Sequence, residues 1–350
     1  MTRRPRRQPG SAGDDVPRRV VALGGGTGMP SVLAGLRQRM VHDDPTALTA
    51  VVTMSDDGGS SGRLRRTRGL PPPGDVRNCL VALSPEQDLM SALFQHRYEG
   101  AADLGGHNLG NLILAALAEQ TGSFLKAIEV SSRVLRTVGR ILPVTLDNVA
   151  LEARLFDGTL LLGESAIGAC RKRIDRITLR PDTARPTPGV VEAIHEADLI
   201  VLGPGSLFTS LVPNLILDEI DAALRSTPAV RVLVGNLVSE KGEAAGLQHR
   251  DHLEVIERHA GHRVVDALLV HEGPVPREVE QRYLAEGATL LDPPEEKIPG
   301  VAVFRRRLAA DCAKLRHDSD ATAEGLFEAW RALRGSVTRV PGALASQPGA

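Results

Sequence analysis

The residues that could do chemistry gather in a few short stretches, the first being Gly24-Gly25-Gly26-Thr27-Gly28. Glycines let the backbone take positive φ and come close to a ligand. The following segment, MPSVLAGLRQRM, reads as a helix whose first turn offers unpaired N–H groups and a favourable dipole to an anion. A phosphate-bearing ligand is therefore the first expectation. Two common phosphate motifs do not fit. A dinucleotide fingerprint counted from Gly24 and Gly26 puts its third glycine at Met29, and no lysine follows Gly28 as a Walker A loop requires.

The second stretch, SDDGGSSGRLRR (55–66), sets the carboxylates Asp56 and Asp57 among Ser55, Gly58, Ser60, Ser61 and Arg63. Either aspartate could hold a magnesium ion, hydrogen-bond a ribose or act as a base. An Asp-capped turn is the plainer alternative. In LPPPGDVRNCLVAL (70–83) the prolines stop any helix, Asp75 suits an N-cap, and Arg77 and Asn78 fall in the next turn. GGHNLGNLILAAL (105–117) puts His107 and Asn108 at the head of an apolar helix with core face Leu112, Leu114 and Leu117, and Asn111 one turn in. GPGSLFTSLVPN (203–214) returns to small residues through Gly203, Gly205, Ser206 and Leu207, and Asn236 is the polar tip of GNLVSEKGEAAG (235–246). Two such glycine loops suit two phosphates, or one phosphate gripped from both sides.

These stretches follow strand-like runs, at 20–24, 48–54, 198–202, 229–234, 265–270 and 288–291. The runs are short and apolar on both faces. Helical patterns separate them, at 29–40, 76–83, 88–96, 108–119, 123–136, 188–196, 214–225, 248–259 and 276–286. The expected fold is α/β: a doubly wound, mostly parallel Rossmann-like sheet flanked by helices, with loops converging at the strands' carboxyl ends. From Gly139 to about residue 180 the pattern changes to ILPVTL, VALEARL, TLLLGES and RITL, split by Asp147-Asn148 and Asp157-Gly158. Asp-Gly between strand-like runs signals a hairpin, so a small antiparallel β insertion without its own core is expected there. Residues 1–19 read as an Arg-rich disordered arm, 20–335 as one domain, and 336–350 as a disordered tail.

Composition narrows the function. The net charge of −1 argues against a general nucleic-acid binder. Three scattered cysteines, Cys79, Cys170 and Cys312, offer no disulfide framework and suit a reducing cytoplasm. No apolar run matches a membrane span, and no apolar stretch follows the N-terminal arginines as in a signal peptide. No structural metal is expected: His249, His252, His259 and His262 lack accompanying cysteines and read as a solvated helix face. The basic run RKRIDR (171–176) reads as outward-facing charge on a strand or edge.

Taken in order, GGGTG, TMSDDGGSSGRLR, PPPGDVRNCLVAL, GHNLGNL, DNVALEA, ADLIVLGPGSLFTSLVPN and the GN…GE…DH…VIE…H stretch resemble the gluconeogenesis factor family. That family is the YvcK branch of the CofD-like superfamily, and the resemblance spans roughly residues 20–320. It implies a cytoplasmic regulatory protein that binds a UDP-sugar, UDP-N-acetylglucosamine in the first instance. Through unidentified protein partners it would support cell-wall synthesis and cell shape during gluconeogenic growth. Magnesium and a homo-oligomer are compatible with the resemblance, which fixes neither. Its enzymatic cousin transfers a phospholactyl group from a guanylated donor to a deazaflavin. The longer second loop here departs from that cousin, so a transferase of a phosphorus-linked group is the alternative reading, with Asp56 and Asp57 as candidate catalytic residues.

Carried onto this sequence, the resemblance sets Gly25, Gly26, Thr27 and Gly28 around a pyrophosphate together with Gly205 and Ser206. Asp56 and Asp57 would face the sugar or a metal. Tyr283, in QRYLAEGATL, and Arg316, in LRHD, would lie near the uridine or sugar end. Ser319 closes the string RHDS, and a phosphate there or at Thr322 would sit near Arg316.

Overall fold

The computed structural model describes residues 15–40, 44, 46–85, 89–100, 103–239, 242–310 and 314–336. The proposed arm up to residue 14, the tail from 337 and Cys312 lie outside the described residues. Strand β1 (Val20–Gly24) is buried at every position, as are β2 (Leu48–Val52), β7 (Leu199–Leu202), β8 (Val230–Val234) and β9 (Ala267–His271). With β3 (Arg140–Pro143) and β10 (Ala302–Arg306) they form a seven-stranded sheet in the order β10-β9-β8-β7-β1-β2-β3. Every pairing in it is parallel. The chain winds outward from β1 to β3, then restarts at β7 and winds the other way. The reversal point between β1 and β7 is where open α/β sheets bind ligands.

A second sheet is antiparallel, in the order β5-β4-β6, from β4 (Ala150–Leu155), β5 (Leu160–Leu162) and β6 (Ile174–Arg180). Its inward residues Leu151, Ala153, Leu155, Ile177 and Leu179 join the same core as the large sheet, so the insertion has no core of its own. Its outer face carries the ion pairs Arg154–Asp175 and Arg180–Glu152, and Arg171, Lys172, Arg173 and Arg176 are exposed, as expected of the basic run.

The structure corrects several expectations. Arg140–Pro143, read with the insertion, pairs in parallel with β2. Residues 288–291 form no strand, and Leu290 makes only one isolated bridge, to Val238. The edge of the sheet is instead Ala302–Arg306, whose arginines and half-exposed positions hide it from a search for apolar runs. Gly59–Arg68 is a helix rather than a loop. A helix at Ser319–Leu333, opened by an Asp318 side chain that accepts the Ala321 N–H, packs on Met29–Arg39 where Gly35 leaves room for the Ser319 carbonyl.

The four histidines are not a solvated face. His249, His252 and His259 are buried, and burial pushes each down to about 4. His262 is part-buried against Asp221. His259 Nε2 accepts the buried Ile177 N–H at 2.9 Å, docking the insertion on the helix His249–Ala260. His259→Leu strands that donor, and an unmet buried donor costs about 1–3 kcal/mol. The expected result is an unfolding free energy lower by that amount, read as a lower urea midpoint; an unchanged midpoint would show that His259 does not hold the insertion.

Candidate functional site

The glycine loop follows β1 and runs into the helix Met29–Arg39, which has no side-chain cap and no acidic residue in its first turn. Gly26 takes φ +67°, a conformation that favours glycine. The loop after β7, GPGSLFTSLVPN and the fifth of the stretches above, closes against it. A Cβ on Gly28 would stand 2.8 Å from the Pro204 carbonyl oxygen, and one on Gly205 would stand 3.2 Å from the Gly25 oxygen. First and fifth loops thus form one wall at the reversal point. Among the described residues, the peptide N–H groups of Gly25, Thr27, Gly28 and Ser206 have no protein partner. Thr27 is exposed beside them.

Asn236 is not a free tip. Its Oδ1 accepts the Gly205 N–H and its Nδ2 donates to the Gly205 carbonyl, both at 3.0 Å, so it clamps the fifth loop. Gly203 takes φ +69° at the loop's entry, and Leu207 is buried as the first residue of a π-turn, Leu207–Leu211. That turn is fastened by residues the sequence reading did not single out. Asn214 Nδ2 donates to the Gly24 and Ser210 carbonyls, and buried Glu243 Oε1 accepts the Phe208 and Thr209 N–H groups. Ser210 Oγ faces Gly26. Both Ser210 and Asn214 stand inside GPGSLFTSLVPN; Glu243 gives no local signal.

The second loop leans on the same wall. Ser55 Oγ donates to the Thr209 carbonyl at 3.2 Å and contacts Thr53 Oγ1 at 3.1 Å. Asp56 Oδ1 accepts the Gly58 N–H at 2.9 Å, an aspartate turn. Asp57 Oδ1 accepts the Ser165 N–H at 2.9 Å and the Ser165 hydroxyl, anchoring the insertion. Asp75 does not cap its helix. That helix, Gly74–Leu83, begins one residue earlier, and Asp75 Oδ2 instead accepts the Gly26 N–H at 2.8 Å. Burial and the nearby Asp56 carboxylate hold Asp75 up at about 6. Glu164, which the sequence reading passed over, is pushed up to about 8 by burial and by Asp56, Asp75 and Asp57.

The remaining candidates form a scaffold behind these loops. Ser60 Oγ meets His107 Nδ1 at 3.1 Å and accepts the Asn108 N–H at 3.3 Å. Asn108 caps the helix Leu109–Thr121 by accepting the Asn111 N–H, while Asn111 Nδ2 reaches Ser61 Oγ at 3.5 Å. On that helix Leu114 is buried, but Leu112 and Leu117 are only half-buried. Arg63 donates to the Gly105 carbonyl and Arg77 to Asn78 Oδ1. Among the described residues, no three His, Cys, Asp or Glu side chains are arranged to hold a metal ion.

Tyr283 and Ser206 line one hollow of about 370 Å³, with Gly168, Ser239, Glu243 and Ala288. The Tyr283 hydroxyl accepts the Leu315 N–H at 3.2 Å, which brings the segment carrying Arg316 alongside. Arg316 is exposed, and the next residue, His317, bonds the Gly235 carbonyl beside the Asn236 clamp. Thr322 is fully buried with its hydroxyl on the Asp318 carbonyl; Ser319 is half-buried.

Comparison with known proteins agrees with the fold. The family profile described as 2-phospho-L-lactate transferase CofD matches residues 20–309. The gluconeogenesis factor of Halalkalibacterium halodurans is 41% identical over 312 residues, covering 88% of this chain and 95% of that protein. The gluconeogenesis factor of Bacillus subtilis is 40% identical over 313 residues, covering 89% and 97%. A crystal structure of a UPF0052 family protein from Bacillus halodurans superposes with a TM-score of 0.83 at 40% identity, over 88% of this chain and 98% of that one. No helix among the described residues is long and apolar enough to cross a membrane.

Proposed function

We infer that this chain, which belongs to the gluconeogenesis factor branch of the CofD family, is a nucleotide-sugar-binding protein. The ligand is a UDP-sugar, with UDP-N-acetylglucosamine the first to test. Its diphosphate would lie on the N–H groups of Gly25, Thr27, Gly28 and Ser206, and its sugar or uridine end in the hollow beside Tyr283. The observation that carries this reading is the contact between the loops after β1 and β7, with donors from both on one wall at the sheet's reversal point. The protein would act as a cytoplasmic regulator of cell-wall synthesis during gluconeogenic growth, through protein partners that read the bound state.

Titration calorimetry of the full chain against UDP-N-acetylglucosamine, GDP-sugars and nicotinamide nucleotides tests the reading. Binding of the UDP-sugar without turnover is expected. Ser206→Ala removes a hydroxyl on the ligand wall. A hydrogen bond to a charged group is worth about 1.5–3 kcal/mol, so affinity should fall roughly 10- to 150-fold. Heat from nicotinamide or guanine nucleotides alone would overturn the assignment. A second reading, transfer of a phosphorus-linked group, draws on the family description and on the raised Asp75 and Glu164 carboxyls beside the loop. Its mark would be nucleotide released from the sugar donor over time.

A further inference from the structure

The Gly26 N–H lies at the tip of the glycine loop, yet it already has a partner in Asp75 Oδ2 at 2.8 Å. The same oxygen lies 2.7 Å from where Gly25 would carry a Cβ, so only the absence of a side chain lets the carboxylate reach the loop. Several groups face Asp75. Asp56 comes from the loop after β2, Glu164 from the insertion, and Arg77 and Cys79 from its own helix. Asp57 stands behind Glu164, while Thr53 and Ser210 approach the loop without charge. Arg77 is the cation facing Asp75; its guanidinium donates to Asn78, and burial lowers its affinity for a proton, while Arg65, from the helix Gly59–Arg68, faces Asp56 and Asp57. A phosphate brought to this loop meets carboxylates. Two unit charges 4 Å apart repel by about 4 kcal/mol at an effective dielectric constant of 20. Protonation relieves that repulsion, and with Asp75 held near 6 and Glu164 near 8, the protons are within reach at neutral pH.

We propose that Asp75 is a built-in competitor for the ligand's phosphate: binding hands the Gly26 N–H from Asp75 to a phosphate oxygen, and the Asp75–Asp56–Glu164 group takes up a proton from solvent. This rests on the nucleotide-sugar reading of the same loop and adds its linkage to pH. The sign is fixed. A bound anion raises the carboxyls' proton affinity, so affinity for the ligand rises as pH falls and is lost as pH rises.

The test is calorimetry of the full chain at pH 6, 7 and 8 with UDP-N-acetylglucosamine and, separately, inorganic pyrophosphate. Each run is repeated in two buffers of different ionisation enthalpy, so that proton exchange is counted directly. Uptake of roughly one proton is expected at the higher pH values, with affinity falling up to about tenfold per pH unit. Asp75→Asn weakens the competitor, so at pH 8 it should bind more tightly than the natural chain and take up fewer protons. Glu164→Gln, which leaves the Gly26 bond in place, serves as a second variant and should reduce uptake on its own. Pyrophosphate binding with uptake, but no UDP-sugar binding, retires the nucleotide-sugar reading and leaves the inference standing. Binding without proton exchange, or uptake undiminished in both variants, overturns the inference. Failure of both ligands at every pH overturns both.

Discussion

Gly28→Ala is expected to lower nucleotide-sugar affinity roughly 100-fold while the protein stays folded. Gly28 has φ −80° and ψ −43°, a backbone alanine adopts freely, so no conformational strain enters. What excludes the methyl is the Pro204 carbonyl, 2.8 Å from the Cβ position, with Pro204 Cγ at 3.0 Å. Neither atom is the end of a flexible side chain. Asn236 clamps the adjacent Gly205 on both its peptide groups, which stops the fifth loop from yielding easily. Overpacking of this kind costs about 1–3 kcal/mol. With the fifth loop held, the strain falls on the glycine loop after β1, whose displacement separates the Gly25–Gly28 donors from Ser206. Calorimetry set beside a thermal melt distinguishes the cases. A folded variant that binds within about threefold of the natural chain would show that the two loops do not grip one ligand.

Legibility from sequence followed burial. Strands β1, β2, β7, β8 and β9 are apolar on both faces and could be placed within a few residues. β10 escaped because a half-exposed edge strand with Arg305 and Arg306 carries no such run. In 288–291 the apolar residues Ala288 and Leu291 are buried, but exposed Thr289 sits between them and the segment pairs only once. The glycines and serines that open Gly59–Arg68 are turn residues, and they masked the helix behind them. The histidines show the same limit from the other side. His249, His252, Ile256 and His259 recur at helical spacing beside Leu253, a pattern that marks a buried stripe once histidine is allowed to be neutral. At the site, each glycine loop was visible as a local pattern, and the contact between them is what a reversal in strand order delivers. The reach of Asp75 to Gly26, across 49 positions, has no local signature, since an aspartate after Pro-Gly reads equally as a cap. Glu164 is harder still. It is ordinary in sequence, and only the folding of the insertion against Asp57 sets it among carboxylates.

Asp266→Ala should be among the most destabilising single changes in the chain, at about 3–5 kcal/mol. Arg231 lies inside β8, only 1% exposed at its side chain, and its guanidinium keeps its charge in any fold. Asp266 answers it several times over: Oδ2 accepts from the Arg231 peptide N–H at 2.9 Å and from Nε at 3.1 Å, and Oδ1 accepts from Nη2 at 3.1 Å. Nη1 donates to the Leu224 carbonyl. The backbone of Asp266 also joins β8 to β10, its N–H on the Arg231 carbonyl and its own carbonyl on the Ala302 N–H. Alanine keeps those backbone bonds and strips the carboxylate that takes three of the Arg231 hydrogen bonds inside the sheet. A domain stable by about 5–15 kcal/mol loses a large fraction of that, and the urea midpoint should drop accordingly. Replacing both partners, Arg231→Met with Asp266→Leu, removes the buried charges together and should recover most of the loss. The pair sits at the opposite end of the strands from the glycine loops, so nucleotide-sugar affinity of the folded fraction should not change. A loss under about 1 kcal/mol for Asp266→Ala would mean that water reaches Arg231 and that this end of the sheet is not sealed.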